Sequence, residues 1–218
     1  MSEENDWTKE ELEKDVNSMT AITIPVNLKI ESHQQILDLA EMEEILRGAQ
    51  LIALGNCGCR KKRHQCSAPL DVCLSLDKDA EEFISNGTSK KINLEEALDA
   101  LKRSHEAGLV HIAYITEGVE KPEMVCSCCS CCCWSMSALV RLGMQNAVVA
   151  SSSIALDNPE TCSNCGTCVE RCQFKARSLT NGEMKYDKKR CFGCGVCIST
   201  CPTQSISLVK RLRPAMNQ

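Results

Sequence analysis

Apolar residues alternate strictly with polar ones over residues 21–30, at Ile22, Ile24, Val26, Leu28 and Ile30. A period of two marks a half-buried strand. Pro25 has no amide to donate, so this segment belongs at a sheet edge or in an extended stretch. A helical period follows. Ser32 with Gln35 offers a capping box, Ile36, Leu39, Ala40, Met42 and Leu46 follow one face, and Gly48 stops it. The short apolar run 51–54 predicts a buried strand that delivers the chain into Cys57. Residues 79–85 predict a short helix closed by Asn86-Gly87. A clearer helix begins at Asn93, with Glu96 at the capping-box position and Leu94, Ala97, Leu98 and Leu101 on one face. Gly108 ends it, and residues 109–115 predict a strand. Residues 134–143 predict a helix and 147–150 a strand. Residues 1–20 are acidic and lack a sustained period, so a flexible tail is expected there. A second tail is expected over 211–218.

The chain is 218 residues long and carries 18 cysteines. Eight form two copies of C-x-x-C-x-x-C-x-x-x-C: Cys162, Cys165, Cys168 and Cys172, then Cys191, Cys194, Cys197 and Cys201-Pro202. Three cysteines at i, i+3 and i+6 can wrap a loop around one iron–sulfur cube. The fourth is turned away and reaches the other cube. The expected pairing is crossed: Cys162, Cys165, Cys168 and Cys201 at one cluster, Cys172, Cys191, Cys194 and Cys197 at the other. A single C-x-x-C is weak, because zinc ribbons and redox dithiols share it, but two identical copies are specific. Residues 162–202 resemble the bacterial-type ferredoxin with two 4Fe-4S clusters. Gly166, Gly193 and Gly195 lie inside the loops, where backbone must approach a cluster closely. Asn181-Gly182 is a hairpin signal between residues 178–180 and 184–186, and residues 205–209 predict the strand after the second motif. One departure is visible: Gln173 follows Cys172 where the family usually has proline, so the local turn differs.

The other ten cysteines all fall between Cys57 and Cys133. Cys57, Cys59, Cys66 and Cys73 form a first set, and Cys126, Cys128, Cys129, Cys131, Cys132 and Cys133 a second. With Cys57-Gly58-Cys59-Arg60, Pro69, the 108–111 segment and the C-x-C-C-x-C-C-C run, the chain resembles multi-cluster iron–sulfur proteins of anaerobes, which carry only a general cluster-binding description. That resemblance implies an architecture but no substrate. Four thiolates suffice for one metal or cluster, and six more can complete it or hold another. Side chains of adjacent cysteines diverge, so Cys128/Cys129 and Cys131/Cys132/Cys133 are expected to point to two places, with not all ten ligating. The simplest division is one cluster on mostly the first set and another on part of the run. A single larger cluster bridging both sets is the alternative. Tetrahedral sulfur sites accept iron or zinc, and the company of two cubanes favours iron. Reduced buried thiols are the third reading.

Arg60, Lys61, Lys62, Arg63 and His64 follow the first ligand candidates. They are either a solvated loop or cations that offset a thiolate-rich cluster, or that hold an anionic substrate or an acidic partner, with Arg60 foremost. His64 and His111 read as ordinary histidines ahead of ligands. Ser127 and Ser130 are expected to donate to sulfur, and Trp134 to sit in the core or over a cluster.

Net charge is −4 and aromatics are 3 per cent. Together they exclude a basic nucleic-acid footprint and a base-stacking surface. Residues 1–16 lack the apolar core of a signal peptide, and no apolar window spans a bilayer. A cytoplasmic, anaerobic setting with reduced thiols is expected. No phosphate-binding glycine loop, dinucleotide fingerprint or nucleophile elbow occurs. The fold class expected is α+β: a cysteine-rich α/β domain over 21–155, then a ferredoxin-like two-cluster domain over 156–210. The function expected is iron–sulfur electron transfer, the C-terminal module feeding one or two further N-terminal clusters. The partner expected is a separate redox protein, a flavoprotein or another iron–sulfur enzyme. The alternatives are a small reductase, whose catalytic residue the sequence does not name, and a redox or metal sensor.

Overall fold

The computed structural model describes residues 7–24, 27–31, 34–38, 40–116 and 121–211. Its first element corrects the expected tail. Residues Lys9–Ser18 form helix α1. Thr8 Oγ1 accepts the Glu11 amide at 3.2 Å, and the Glu11 carboxylate accepts the Thr8 amide at 2.9 Å. That is a capping box. Leu12 and Val16, one turn apart, are buried in the core.

Strand β1 (Met19–Ile24) lies at a sheet edge, and Pro25 falls outside the described residues. Strands β2 (Asn27–Glu31) and β3 (Gln34–Asp38) pair antiparallel as a separate hairpin. The helix expected from Ser32 is therefore shorter, because pairing with β2 claims residues 34–38. Helix α2 covers only Ala40–Gly48, and Ser32 lies outside the described residues.

The elements that carry the first cysteines follow. They are β4 (Ile52–Asn56), α3 (Gly58–Arg63), β5 (Asp71–Leu76), α4 (Asp77–Ser85) and β6 (Ser89–Ile92). Helix α5 (Leu94–Glu106) has the expected capping box, with both Asn93–Glu96 hydrogen bonds at 2.9 Å. Strands β7 (Val110–Thr116) and β8 (Met124–Cys128) and helix α6 (Trp134–Leu142) complete this part. Gly143, at φ 71°, closes α6 in the left-handed conformation. Residues 147–150 do not form the expected strand. Gln145–Ala147 is a short 3-10 turn instead.

Six strands form one sheet in the order β1-β7-β8-β5-β4-β6, with every ladder antiparallel. The class is α+β. Alternation along the strands gives the sheet two different faces. One face carries Leu74, Leu76, Ala113 and Val125 and is covered by α2 and α5 through Met42, Leu46, Ala97 and Leu101. The other carries Val110, Ile112, Tyr114, Cys126 and Cys128, packed against Leu12 and Val16 of α1 and Met136 and Leu139 of α6. The cysteines of β8 thus face a second core.

The C-terminal part begins earlier than the boundary expected at residue 155. Strand β9 (Ser153–Asp157) pairs along its whole length with β12 (Ile206–Lys210), so that boundary would cut a strand. Between them lie α7 (Thr167–Arg171) and the hairpin of β10 (Arg177–Thr180) and β11 (Glu183–Tyr186). Asn181 and Gly182, at φ 53° and 79°, make the expected two-residue turn. Among the described residues no helix is long and apolar enough to cross a membrane.

Candidate metal centres

The eight repeated cysteines line two cavities. Cys162, Cys165, Cys168 and Cys201 line the first, Cys172, Cys191, Cys194 and Cys197 the second. The fourth cysteine of each copy is with the three of the other. Backbone amides point at sulfur in both: Ala176 N donates to Cys172 Sγ and Ser205 N to Cys201 Sγ, each at 3.3 Å. A side chain at Gly193 is excluded twice over. Its φ is +70°, and a Cβ there would collide with Ser153 O and Ser151 Oγ.

Residues 161–205 match the family model of the 4Fe-4S dicluster domain. The C-terminal part is a dicluster ferredoxin module. No curated protein matches the chain. The donor chemistry fits the clusters. Burial pushes the Cys194 thiol well above its ordinary value and Cys197 up to about 12. Left alone, these thiols stay protonated at neutral pH, and coordination to a cationic centre is what ionises them.

Arg177, which the sequence reading did not single out, lines both cavities of the module. It is 4% exposed. Its guanidinium donates to both Asp157 oxygens, at 2.7 and 2.9 Å, and lies 3.9 Å from Cys168 Sγ. It also stacks over the Tyr186 ring at 4.4 Å. A buried cation thus stands between two sites that collect negative charge.

Among the ten N-terminal cysteines the two sets interleave. Cys66, Cys129, Cys131 and Cys132 gather with all four sulfurs within 4.8 Å of one another. Cys131 and Cys132 are adjacent, yet both face this site, with their sulfurs 3.8 Å apart. The expected divergence fails there because the chain turns sharply, Cys133 N bonding back to Cys129 O. Cys128 and Cys133 do point elsewhere. With Cys57, Cys59, Cys73 and Cys126 they interact pairwise around a closed ring, in the order Cys57, Cys59, Cys133, Cys128, Cys126, Cys73. No three of these six lie within 4.8 Å of one another, so the ring is wider than a single-ion site.

Two of the six ring thiols are pulled down and the other four are pushed up. Hydrogen bonds from Cys59 and then Cys73 pull Cys57 down to about 3, and those from Cys128 and Cys59 hold Cys133 well below its ordinary value. Cys59 is pushed up by its bonds to Cys133 and Cys57, and Cys128 by its bonds to Cys126 and Cys133. Each anion keeps its neighbours protonated. All six ionise together only around a centre that supplies positive charge, so this donor set also fits a cluster. The Tyr114 hydroxyl sits beside the ring, 3.5 Å from Cys133 Sγ and 2.8 Å from Ser135 Oγ.

The basic run is part of helix α3 and splits. Arg60 and Arg63 are buried, while Lys61 and Lys62 are exposed. Arg60 Nη2 donates to Ser127 O at 3.2 Å and to Cys129 Sγ at 3.6 Å, and Nη1 donates to Pro69 O. Lys62 pairs with Glu11 at 3.3 Å and lies over the Trp7 ring. Ser127 and Ser130 take partners other than the expected sulfurs. Ser127 Oγ bonds His111 Nδ1 at 3.0 Å, while Ser130 N and Oγ both donate to Gln173 Oε1 at 2.9 Å. Trp134 packs on Tyr114 with ring centres 5.8 Å apart. His64 caps α3 in the left-handed conformation.

Gln173, the departure from the family, joins the two parts. While Oε1 takes Ser130, Nε2 donates to Gly108 O at 3.1 Å. Proline there would supply none of these bonds. Arg171 donates to the His105 and Glu106 carbonyls at 2.9 and 2.8 Å, capping the end of α5.

Proposed function

We propose that the chain is an iron–sulfur electron-transfer protein whose dicluster module exchanges electrons with a further cluster held by Cys57, Cys59, Cys73, Cys126, Cys128 and Cys133. Within the module, Cys162, Cys165, Cys168 and Cys201 hold one 4Fe-4S cluster, and Cys172, Cys191, Cys194 and Cys197 the other. Such clusters supply single-electron steps at potentials set by hydrogen bonds to sulfur, net charge and exposure.

One observation carries the reading. Cys126, Cys128 and Cys133 of the ring belong to one apolar cluster with Phe174 and Val196 of the module, and Cys172, Cys194 and Phe192 pack against it. Phe174 and Phe192 of the module stack at 4.5 Å where they join that cluster. A dry, packed path favours transfer between centres, because it leaves little solvent to reorganise when charge moves. The chain's residues also order the path. Cys165 is exposed, so the first module site faces outward to a protein redox partner. The second faces inward to the ring.

A carrier is favoured over a reductase by burial. Cys57, Cys126, Cys128 and Cys133 are each less than 10% exposed and only Cys59 and Cys73 are part-exposed, which restricts a substrate's direct approach. Iron analysis of the anaerobically purified full chain tests the reading. On the order of 12 iron atoms are expected, four for each of three clusters. The double variant Cys126→Ala/Cys128→Ala should fall to about 8 while keeping the signals of the module clusters. A wild-type count near 8 would refute the ring cluster.

A further inference from the structure

The four-thiol site is of another kind from the other three. We infer that Cys66, Cys129, Cys131 and Cys132 bind a single tetrahedral metal ion, zinc, that takes no part in electron transfer.

The size of the site selects the ion. Zinc–sulfur bonds of about 2.3 Å set the corners of a tetrahedron about 3.8 Å apart. The Cys66–Cys129, Cys66–Cys132 and Cys131–Cys132 sulfurs are 3.8, 3.9 and 3.8 Å apart. A 4Fe-4S cube puts a separate iron behind each thiolate, so its ligands must stand wider. The same chain provides the comparison: neither set of four in the dicluster module gathers within 4.8 Å. Among the described residues only Cys66, Cys129, Cys131 and Cys132 form such a group.

Charge gives a second, independent observation. Arg60 is 1% exposed and has no carboxylate partner among the described residues. A buried cation requires a compensating anion. Four thiolates around a divalent ion carry a net charge of about −2, and the Arg60 guanidinium donates to one of them, Cys129.

Four protein ligands leave no open position, which is the pattern of a structural rather than a catalytic zinc. The surroundings suit that role. Trp7 Nε1 donates to Cys132 O at 3.1 Å, bringing the residue before α1 to the site. Ser130, between two ligands, takes Gln173 of the dicluster module. One ion at this point fixes the loop before β5, the loop before α6 and the module against each other.

X-ray absorption at the zinc edge on the anaerobically purified full chain tests the assignment without any variant. About one zinc per chain is expected, with four sulfurs at about 2.3 Å and no neighbouring metal. Cys66→Ala and Cys132→Ala should lose that zinc and keep the iron of wild type, whereas Cys126→Ala/Cys128→Ala should lose iron and keep zinc. Absence of zinc with about four irons lost from Cys66→Ala would overturn the proposal in favour of a cube. A lone iron with four sulfurs would overturn the choice of zinc. A zinc count of one with about 8 irons would sustain this site and sink the ring cluster instead.

Discussion

At the scale of the residue, Arg177 and Asp157 are the pair most open to test. Arg177 faces both module cavities and is held by a bidentate carboxylate. Removing a positive charge beside a cluster makes an added electron harder to accept. Arg177→Met should therefore shift both module potentials to more negative values, and Asp157→Asn should shift them to more positive values. Potentials measured by electrochemistry on the two variants must move in opposite directions; movement in one direction, or none, removes the charge argument. Asp157→Asn also leaves a buried guanidinium without its partner, at a cost of about 3–5 kcal/mol. This pair was not legible in the sequence, since a lone arginine five residues after Cys172 carries no pattern. The eight repeated cysteines were legible, because their spacing encodes a local loop geometry. The ten N-terminal cysteines were legible only as thiols. Which of them meet depends on β5, β8 and the turn at 129–133, and those contacts are distant in sequence.

At the scale of the element, helix α1 shows how composition can hide a fold signal. Residues 1–20 read as acidic and aperiodic, yet Thr8-x-x-Glu11 is a capping-box signature and Leu12 and Val16 are spaced for one face. Two apolar residues were too few to establish a period, and the sheet face they cover was not visible. Leu12→Ala should destabilise the protein by about 2–5 kcal/mol in denaturant unfolding. A change within about 0.5 kcal/mol would mean that the segment behaves as a tail after all. Helix α5, with its capping box, and helix α6, closed by Gly143, were legible because these signals are local. Strand β3 was not, because a helical period of a few residues yields to a strand partner nearby.

At the scale of the whole molecule, Gln173 is where the module and the cysteine-rich sheet are joined. It makes three hydrogen bonds across the junction, each contributing about 0.5–1.5 kcal/mol. Gln173→Pro, which restores the common family residue, should leave both module clusters assembled while loosening the junction. Hydrogen exchange should rise around residues 108–110 and 129–133 and stay unchanged in β10 and β11. Unchanged exchange at the junction would show that apolar packing alone holds the two parts. The sequence marked Gln173 only as a departure, because its partners, Gly108 and Ser130, are more than forty residues away.

The central claim is that electrons entering the dicluster module reach a third cluster in the thiol ring. A reductive titration of the anaerobic full chain, followed by electron paramagnetic resonance, tests it most directly. A third iron–sulfur signal is expected, broadened by coupling to the second module cluster and absent from Cys126→Ala/Cys128→Ala. Two cluster signals in the wild type, identical to those of the double variant, would contradict the claim.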